Sequence, residues 1–269
     1  AYAILSGLVG SEMCIRDRAK LNVLIAGSTG YIGVQLIKLL IKHKNINIKY
    51  LCGNSSAGKK ISSYDTSLKS KKLPRITKYN KKYLSYVDII FTALPNGEAQ
   101  LISKDLLKKN TLIDLAADFR LNKASDYLKW YKQKHKALSN IKNSIYALPE
   151  ITGKLVKKFS IIGCPGCYPT SILLPLVPLV KERSINLKNI IIDSKSGYSG
   201  AGRGVHKKFK NKNLYESLSA YGVGFHRHNS EIDQELKNNS SSKINFTFTP
   251  HIIPMFRGCL LYTSDAADE

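Results

Sequence analysis

The chain has 269 residues, enough for two domains with sizeable cores, and 43% of them are hydrophobic, as in an ordinary globular protein. Its 42 Lys and Arg against 19 Asp and Glu leave a net charge of +23, but the lysines are spread over most segments among Asn and Ile. That spread argues against a dedicated nucleic-acid stripe and leaves a field that steers anions, while five scattered cysteines argue against a secreted disulfide framework and no apolar run is long enough to span a membrane.

In chain order, residues 1–19 read as a foreign leader. Ala1 to Gly10 lacks the positive residues that precede the apolar part of a signal peptide. Ser11 to Arg18, like Leu260 to Glu269, resembles translated sequencing-adapter read-through, so the native stretch is expected from about Lys20 to Gly258, with 259–269 a foreign tail. Val23 to Ala26 is a compact apolar run, followed by Gly27-Ser28-Thr29-Gly30-Tyr31-Ile32-Gly33 and then by apolar residues at helical spacing. Strand, glycine turn and helix in that order predict a dinucleotide site, with backbone amides at the helix N-terminus facing a pyrophosphate and Gly33 letting the helix pack on the sheet.

The next predicted strand, Ile48 to Leu51, carries no acid at its end to hold the ribose of NAD. Residues 53–60 offer hydroxyls and ammonium groups instead, so Ser55, Ser56 and Lys59 are candidates for the 2'-phosphate of NADP. Tyr86 to Phe91 reads as a strand leading into Leu94 and Pro95, where a nicotinamide or ribose contact belongs. Thr111 to Leu115 reads as another strand, ending in a segment with Asp118 and Arg120, for which a surface ion pair is the plain alternative.

Phe159 to Ile162 reads as a strand and Ser171 to Val180 as a buried helix. Between them Gly163-Cys164-Pro165-Gly166-Cys167-Tyr168-Pro169-Thr170 sets Cys167 near a helix N-terminus, where thiolate is favoured over thiol. Cys167 is the predicted nucleophile. Cys164 and Cys167 form a C-x-x-C, but zinc would need two further ligands, and a thioredoxin-type pair should follow the first strand of a small domain. No metal is expected. After Ile191 to Asp193, residues 194–204 read as a loop able to cradle an anion, with Lys195, Ser196 and Arg203 as candidates. In Phe225 to Ile232, His226 and His228 would face opposite ways if extended, so one of them is expected to reach the thiol as acid or base.

These segments resemble the N-acetyl-gamma-glutamyl-phosphate reductase family, relatives of aspartate-semialdehyde dehydrogenase, over about Leu21 to Gly258. The resemblance is carried by the glycine turn at 27–33, Ser-Ser-Ala-Gly-Lys at 55–59, Ala-Leu-Pro-Asn-Gly at 93–97 and Asp-Leu-Ala-Ala-Asp-Phe-Arg-Leu at 114–121. It continues through Tyr-Ala-Leu-Pro-Glu at 146–150, Pro-Gly-Cys-Tyr-Pro-Thr at 165–170, Ser-Gly-Tyr-Ser-Gly-Ala-Gly-Arg at 196–203, His-Arg-His at 226–228 and Thr-Pro-His-Ile-Ile-Pro-Met-Phe-Arg-Gly at 249–258.

The resemblance implies an α/β fold: a doubly wound parallel Rossmann sheet over 20–162 that binds NADP, then an α+β catalytic and dimerisation domain with a mixed sheet over 163–258, cut short relative to the family. It implies that Cys167 attacks the acyl phosphate of N-acetylglutamyl phosphate, and that the thioester is reduced by NADPH to the semialdehyde, a step of arginine biosynthesis. His226 or His228 would exchange protons. Arg120, Lys195, Ser196, Arg203 and Arg227 would hold phosphate or carboxylate, Glu231 would also contact substrate, and Cys164 could trap Cys167 as a disulfide. A cytoplasmic homo-oligomer without membrane or nucleic-acid partners is expected. The alternatives are a sibling reductase for an aspartyl or aminoadipyl phosphate and, from charge alone, a basic nucleotide- or nucleic-acid-binding protein.

Overall fold

A computed structural model describes residues 20–201, 217–256 and 258–265. Its first sheet is built from β1 (Leu21–Ala26), β2 (Ile46–Cys52), β3 (Ile76–Thr77), β4 (Ile89–Thr92), β5 (Thr111–Asp114), β6 (Ser144–Tyr146) and β7 (Ile161–Gly163). The order across the sheet is β3-β2-β1-β4-β5-β7-β6 and every pairing is parallel. Val23 to Ala26 are all buried because β1 is central, with alternate residues feeding two cores. Leu24 and Ala26 pack with Ile90, Leu112 and Ile102 on one face. Val23 and Ile25 pack on the other with Val34 and Ile37 of helix α1 (Tyr31–Leu40).

The chain winds outward from β1 through β2 and β3, then returns to lay β4 on the other flank. The loops after β1 and β4 therefore diverge at the carboxyl edge, which is where doubly wound sheets bind ligands. The predicted strand over Tyr86 to Phe91 is corrected: residues Lys81–Tyr86 form a 3-10 helix and β4 starts only at Ile89. The Asn80 side chain caps that helix by accepting the Lys82 amide at 2.9 Å, and Leu84 turns into the core.

Two further helices, α2 (Glu98–Ser103) and α3 (Ala124–Tyr131), flank this sheet. After β7 the chain enters α4 (Cys167–Lys181), which begins four residues before the predicted start because Gly166 already serves as its N-cap. Helix α5 (Asn229–Asn238) and strands β8 (Ile190–Gly197), β9 (Ser219–Ala220), β10 (Phe246–Ile253) and β11 (Cys259–Asp265) follow. Their sheet is mixed, in the order β11-β8-β10-β9. Ile172, Leu176 and Val180 of α4 share one core with Ile190 and Ile192 of β8, Ile232 and Leu236 of α5, and Phe248 of β10. The stretch expected to be a foreign tail supplies β11, whose residues 259–265 pair antiparallel with β8.

Candidate active site

Two strand-turn-helix junctions lie at the carboxyl edge of the first sheet. At the first, Gly27 has φ +82°, and a Cβ there would lie 2.2 Å from the Ala93 carbonyl oxygen, so only glycine lets this turn meet the loop after β4. A Cβ on Gly33 would lie 2.3 Å from the Gly27 oxygen. Gly33 thus makes room for the turn itself rather than for helix on sheet, which corrects the predicted reason. Gly30 is the N-cap, with no side-chain capping bond and no acid in the first turn of α1. A Cβ on Gly30 would meet only the Gly27 oxygen, at 3.5 Å. That open, uncapped helix end fits a dinucleotide phosphate.

Other predicted cofactor contacts sort by exposure. The Ser28 hydroxyl is buried and donates to the Cys52 carbonyl at 3.1 Å, so it ties the turn to β2 rather than facing a ligand. Ser56 is likewise turned inward, its Oγ 2.3 Å from where a Gly53 Cβ would sit, whereas Ser55 and Lys59 are exposed. The inward Ser56 hydroxyl corrects its predicted contact with a 2'-phosphate, while at Ser28 the predicted contact is through the backbone amide of the turn. Thr29 and Tyr31 are half-buried, Ile32 is exposed, and the Tyr31 ring meets Phe256 edge-on at 5.9 Å between centroids. Leu94 lines a cleft of about 270 Å³ with Gly27, Cys52, Gly53 and Leu101, and Pro95 is exposed beside it.

A buried network fixes the loop after β4. Asp118 accepts from the Gly97 amide at 2.7 Å, the Gln100 side chain at 3.0 Å and the Tyr127 hydroxyl at 2.8 Å. Asp114, at the end of β5, accepts from the Thr92 hydroxyl at 2.7 Å and the Asp118 amide at 3.0 Å. Burial, and then the charge of Asp118, raise the Asp114 carboxyl to about 6.

At the second junction Cys167 is the first residue of α4 and is exposed, while Cys164 is half-buried. Burial, then Asp114, push the Cys164 thiol up to about 12, so it stays protonated. The Cys164 amide donates to the Asp114 carbonyl at 2.8 Å, which carries the pairing of β7 with β5 into the turn. Gly166 is required because the His228 Nε2 lies 2.6 Å from where its Cβ would be.

Arg120 is not a surface residue. Its Nε donates to the Cys164 carbonyl at 2.8 Å, Nη1 to Glu231 Oε1 at 3.1 Å and Nη2 to the Leu115 carbonyl at 3.2 Å. Burial alone would lower its pKa, but Glu231, together with Tyr131, Asp114 and Tyr146, more than offsets that and keeps it charged. Glu231 is fully buried, and its Oε2 accepts from the Gly166 amide at 2.9 Å and the Tyr146 hydroxyl at 3.1 Å. Both residues, predicted to touch substrate, instead lie beneath the thiol turn with their polar atoms engaged there.

The two histidines are not on an extended segment. Gly222 and Gly224, with φ +60° and +77°, fold the chain so that the His226 amide reaches the Gly222 carbonyl at 2.7 Å. Both rings therefore share one side, 4.7 Å apart, and both pack edge-on against Tyr168, which corrects the expectation that they diverge. Burial, then Arg227, lower His226 to about 4; burial, then Arg120 and His226, lower His228 well below the ordinary imidazole range. Both are neutral near pH 7. The His228 Nε2 lies 3.8 Å from Glu231 Oε1, too far for a hydrogen bond, and its Nδ1 is buried with no partner among the described residues.

The remaining predicted residues separate. Lys195 and Ser196 belong to strand β8 and not to a loop. Lys195 Nζ pairs with Asp193, whose other oxygen lies 2.7 Å from His251 Nδ1 on β10, and the Ser196 hydroxyl is buried. Arg227 is exposed, its guanidinium 5.9 Å from the Tyr131 ring centre, and Arg203 lies outside the described residues. A larger cleft of about 600 Å³ lies between α3, α5 and β10, lined by Trp130, Gln234 and Phe246 but by no residue of the thiol turn. Among the described residues no cluster of three His, Cys, Asp or Glu could hold a metal, and no helix is long and apolar enough to cross a membrane.

Comparison with known proteins matches residues 22–159 to the semialdehyde dehydrogenase NAD binding domain and residues 167–267 to the semialdehyde dehydrogenase dimerisation domain. The probable chloroplastic N-acetyl-gamma-glutamyl-phosphate reductase of Arabidopsis thaliana is 39% identical over 250 residues, 93% of this chain and 62% of that protein. The N-acetyl-gamma-glutamyl-phosphate reductase of Desulforamulus reducens is 39% identical over 249 residues, 89% of this chain and 70% of that protein. The crystal structure of aspartate semialdehyde dehydrogenase with NADP from Candida albicans has the same fold, with a TM-score of 0.59 at 17% identity over 92% of this chain and 72% of that one. The chain thus spans less than two thirds of the Arabidopsis protein.

Proposed function

This chain belongs to the semialdehyde dehydrogenase family, among the N-acetyl-gamma-glutamyl-phosphate reductases, and from that premise we propose that it reduces N-acetylglutamyl 5-phosphate to the 5-semialdehyde with NADPH. The observation that carries the reading is an exposed thiol on the first residue of a helix, at the edge where the sheet also presents its dinucleotide turn. The helix N-terminus favours the Cys167 thiolate, which attacks the acyl carbon. A carbon–sulfur bond forms, the carbon–oxygen bond to phosphate breaks, and phosphate leaves with the electron pair. Bound NADPH supplies the hydride that reduces the thioester. Collapse of the carbon–sulfur bond then returns the thiolate and releases the aldehyde.

Proton exchange falls to the His226–His228 pair, neutral and so ready to accept. A dianionic substrate beside them raises their basicity. Gly27, Thr29, Gly30, Tyr31, Ile32 and Gly33 form the phosphate turn, Leu94 and Pro95 border the cleft, and exposed Ser55 and Lys59 favour NADP over NAD. Arg227, an exposed cation between the histidines in sequence, is assigned to a substrate anion, with Lys195 and Arg203 as further cations for it. The protein is proposed to work as a homo-oligomer in a reducing compartment, the cytoplasm by its odd number of scattered cysteines. The Arabidopsis relative is described as chloroplastic.

The test is phosphate-dependent reduction of NADP by N-acetylglutamate semialdehyde, with aspartate and aminoadipate semialdehydes as competitors, in the parent and in Cys167→Ser. Turnover with the first aldehyde alone, lost in the variant, is expected. Turnover with a sibling aldehyde instead reassigns the substrate.

A further inference from the structure

The turn that delivers Cys167 is held at both ends by the two members of one buried ion pair. Arg120 takes the carbonyl of Cys164 and Glu231 takes the amide of Gly166, while the two side chains meet at 3.1 Å. The clamp also joins the two parts of the molecule. Arg120 comes from the loop after β5 and Glu231 from α5, and α5 is tied to the same loop by Gln234, which donates to the Arg120 carbonyl at 3.0 Å and accepts the Asn122 amide at 2.9 Å.

The pair sets opposite charges beside the nucleophile. Glu231 accepts the N–H of the residue immediately before Cys167, occupying a helix end whose dipole would otherwise act on the thiolate alone. Arg120 sits behind it with all three of its bonds directed at the turn, at Glu231 and at the loop that carries it.

We infer that the Arg120–Glu231 pair is a positioning unit for Cys167, fixing the Cys164–Gly166 turn and setting, by the balance of its two charges, how much of the nucleophile is thiolate. Around Glu231 the facing groups are Arg120, Tyr146 from β6, Tyr131 from α3, His228 at the N-cap of α5 and Glu235 on α5. Around the turn they are Asp114, Cys164, His226 and Arg227. Among the described residues, the pair places a full charge on each end of the turn by a direct hydrogen bond. This rests on Cys167 as the nucleophile but not on the identity of the substrate.

The test is the pH dependence of Cys167 alkylation by iodoacetamide, read on its own peptide by mass spectrometry, in the parent chain, Glu231→Gln, Arg120→Gln and the double variant. Losing the carboxylate leaves Arg120 unbalanced, so Glu231→Gln is expected to move the midpoint down by about one pH unit and to speed alkylation at neutral pH by up to about tenfold. Arg120→Gln is expected to move it up. The double variant, with no unpaired buried charge and with glutamines still able to bond the turn, is expected to return close to the parent, and if one single variant does not fold, the other is read against the double; an unmoved midpoint in a folded single variant overturns the inference. A merely structural role would move both single variants the same way and the double further still. Either of those results, or a displaced midpoint in a folded double variant, overturns the inference. The alkylation needs neither substrate nor cofactor, so it succeeds or fails independently of the turnover assay.

Discussion

The dinucleotide turn and the thiol turn are the same device used for two purposes. Each follows a parallel strand, each opens a helix, and their N-cap glycines have nearly identical backbones: φ −67°, ψ 166° at Gly30 and φ −66°, ψ 165° at Gly166. What differs is what faces the cap. Gly30 looks into open space with no capping side chain, as suits an anion brought by a ligand. Gly166 is met by the protein's own carboxylate from Glu231 and by the His228 ring, so that helix end is already engaged and its first side chain, Cys167, is the proposed nucleophile. A helix N-terminus is thus a binding site or a catalytic support according to what the rest of the fold lays against it.

Matched substitutions can break this comparison. The largest stability effect is expected from Gly27→Ala, where the left-handed backbone costs about 1–2 kcal/mol and a 2.2 Å clash with the Ala93 carbonyl adds to it. Urea unfolding with an unchanged midpoint would show that the turn is more yielding than drawn. Gly166→Ala comes next, at about 1–3 kcal/mol, because its Cβ must displace a buried imidazole ring. Gly30→Ala, with the same backbone but no close neighbour, is expected to stay within about 0.5 kcal/mol of the parent and to weaken NADP binding in a calorimetric titration. Equal destabilisation by the two N-cap alanines would remove the distinction. At the cofactor turn Lys59→Ala is expected to weaken NADP about tenfold, the loss of one charge-assisted contact, and to leave NAD binding unchanged.

A pH slope separates the two sides further, because of the two turns only the thiol turn packs against a buried imidazole. His226 and His228 have folded pKa values below the unfolded one, so the unfolded chain binds more protons as the pH falls from about 6.5 towards 4. Their contribution is therefore present above that window and lost on acidification through it, at up to about 1.4 kcal/mol per pH unit for each proton. Asp114, raised to about 6, acts oppositely in the same window but is common to parent and variant. Replacing His228 with Asn should flatten the measured slope relative to the parent, and an unaltered slope would mean that this imidazole titrates normally.

Much of the first sheet was legible because its signals are local. The run Val23 to Ala26 is apolar throughout since both of its faces are buried, and the glycines at 27 and 33 mark a turn that few other residues could make. Cys167 stood out for the same reason, as a thiol between a Gly/Pro turn and an apolar helix. What sequence reasoning missed depends on register. Tyr146 reaches Glu231 only because β6 pairs beside β7, which sets Tyr146 opposite Gly163. Arg120 and Glu231, 111 residues apart, each looked like a surface cation or anion seeking a ligand. His226 and His228 looked divergent until Gly222 and Gly224 curled the segment. Lys195 and Ser196 seemed to lie in a loop because small residues hid the continuation of β8.

The central claim is that the thiol turn presents a nucleophile that takes up an acyl group. The most direct test is to expose the protein to N-acetylglutamyl phosphate without NADPH, quench with acid and map adducts by peptide mass spectrometry. An N-acetylglutamyl thioester on Cys167, absent from Cys52 and Cys164 and discharged when NADPH is added, is the result predicted. An unmodified Cys167 in folded protein, with acyl groups on Cys164 or on lysines instead, would contradict it.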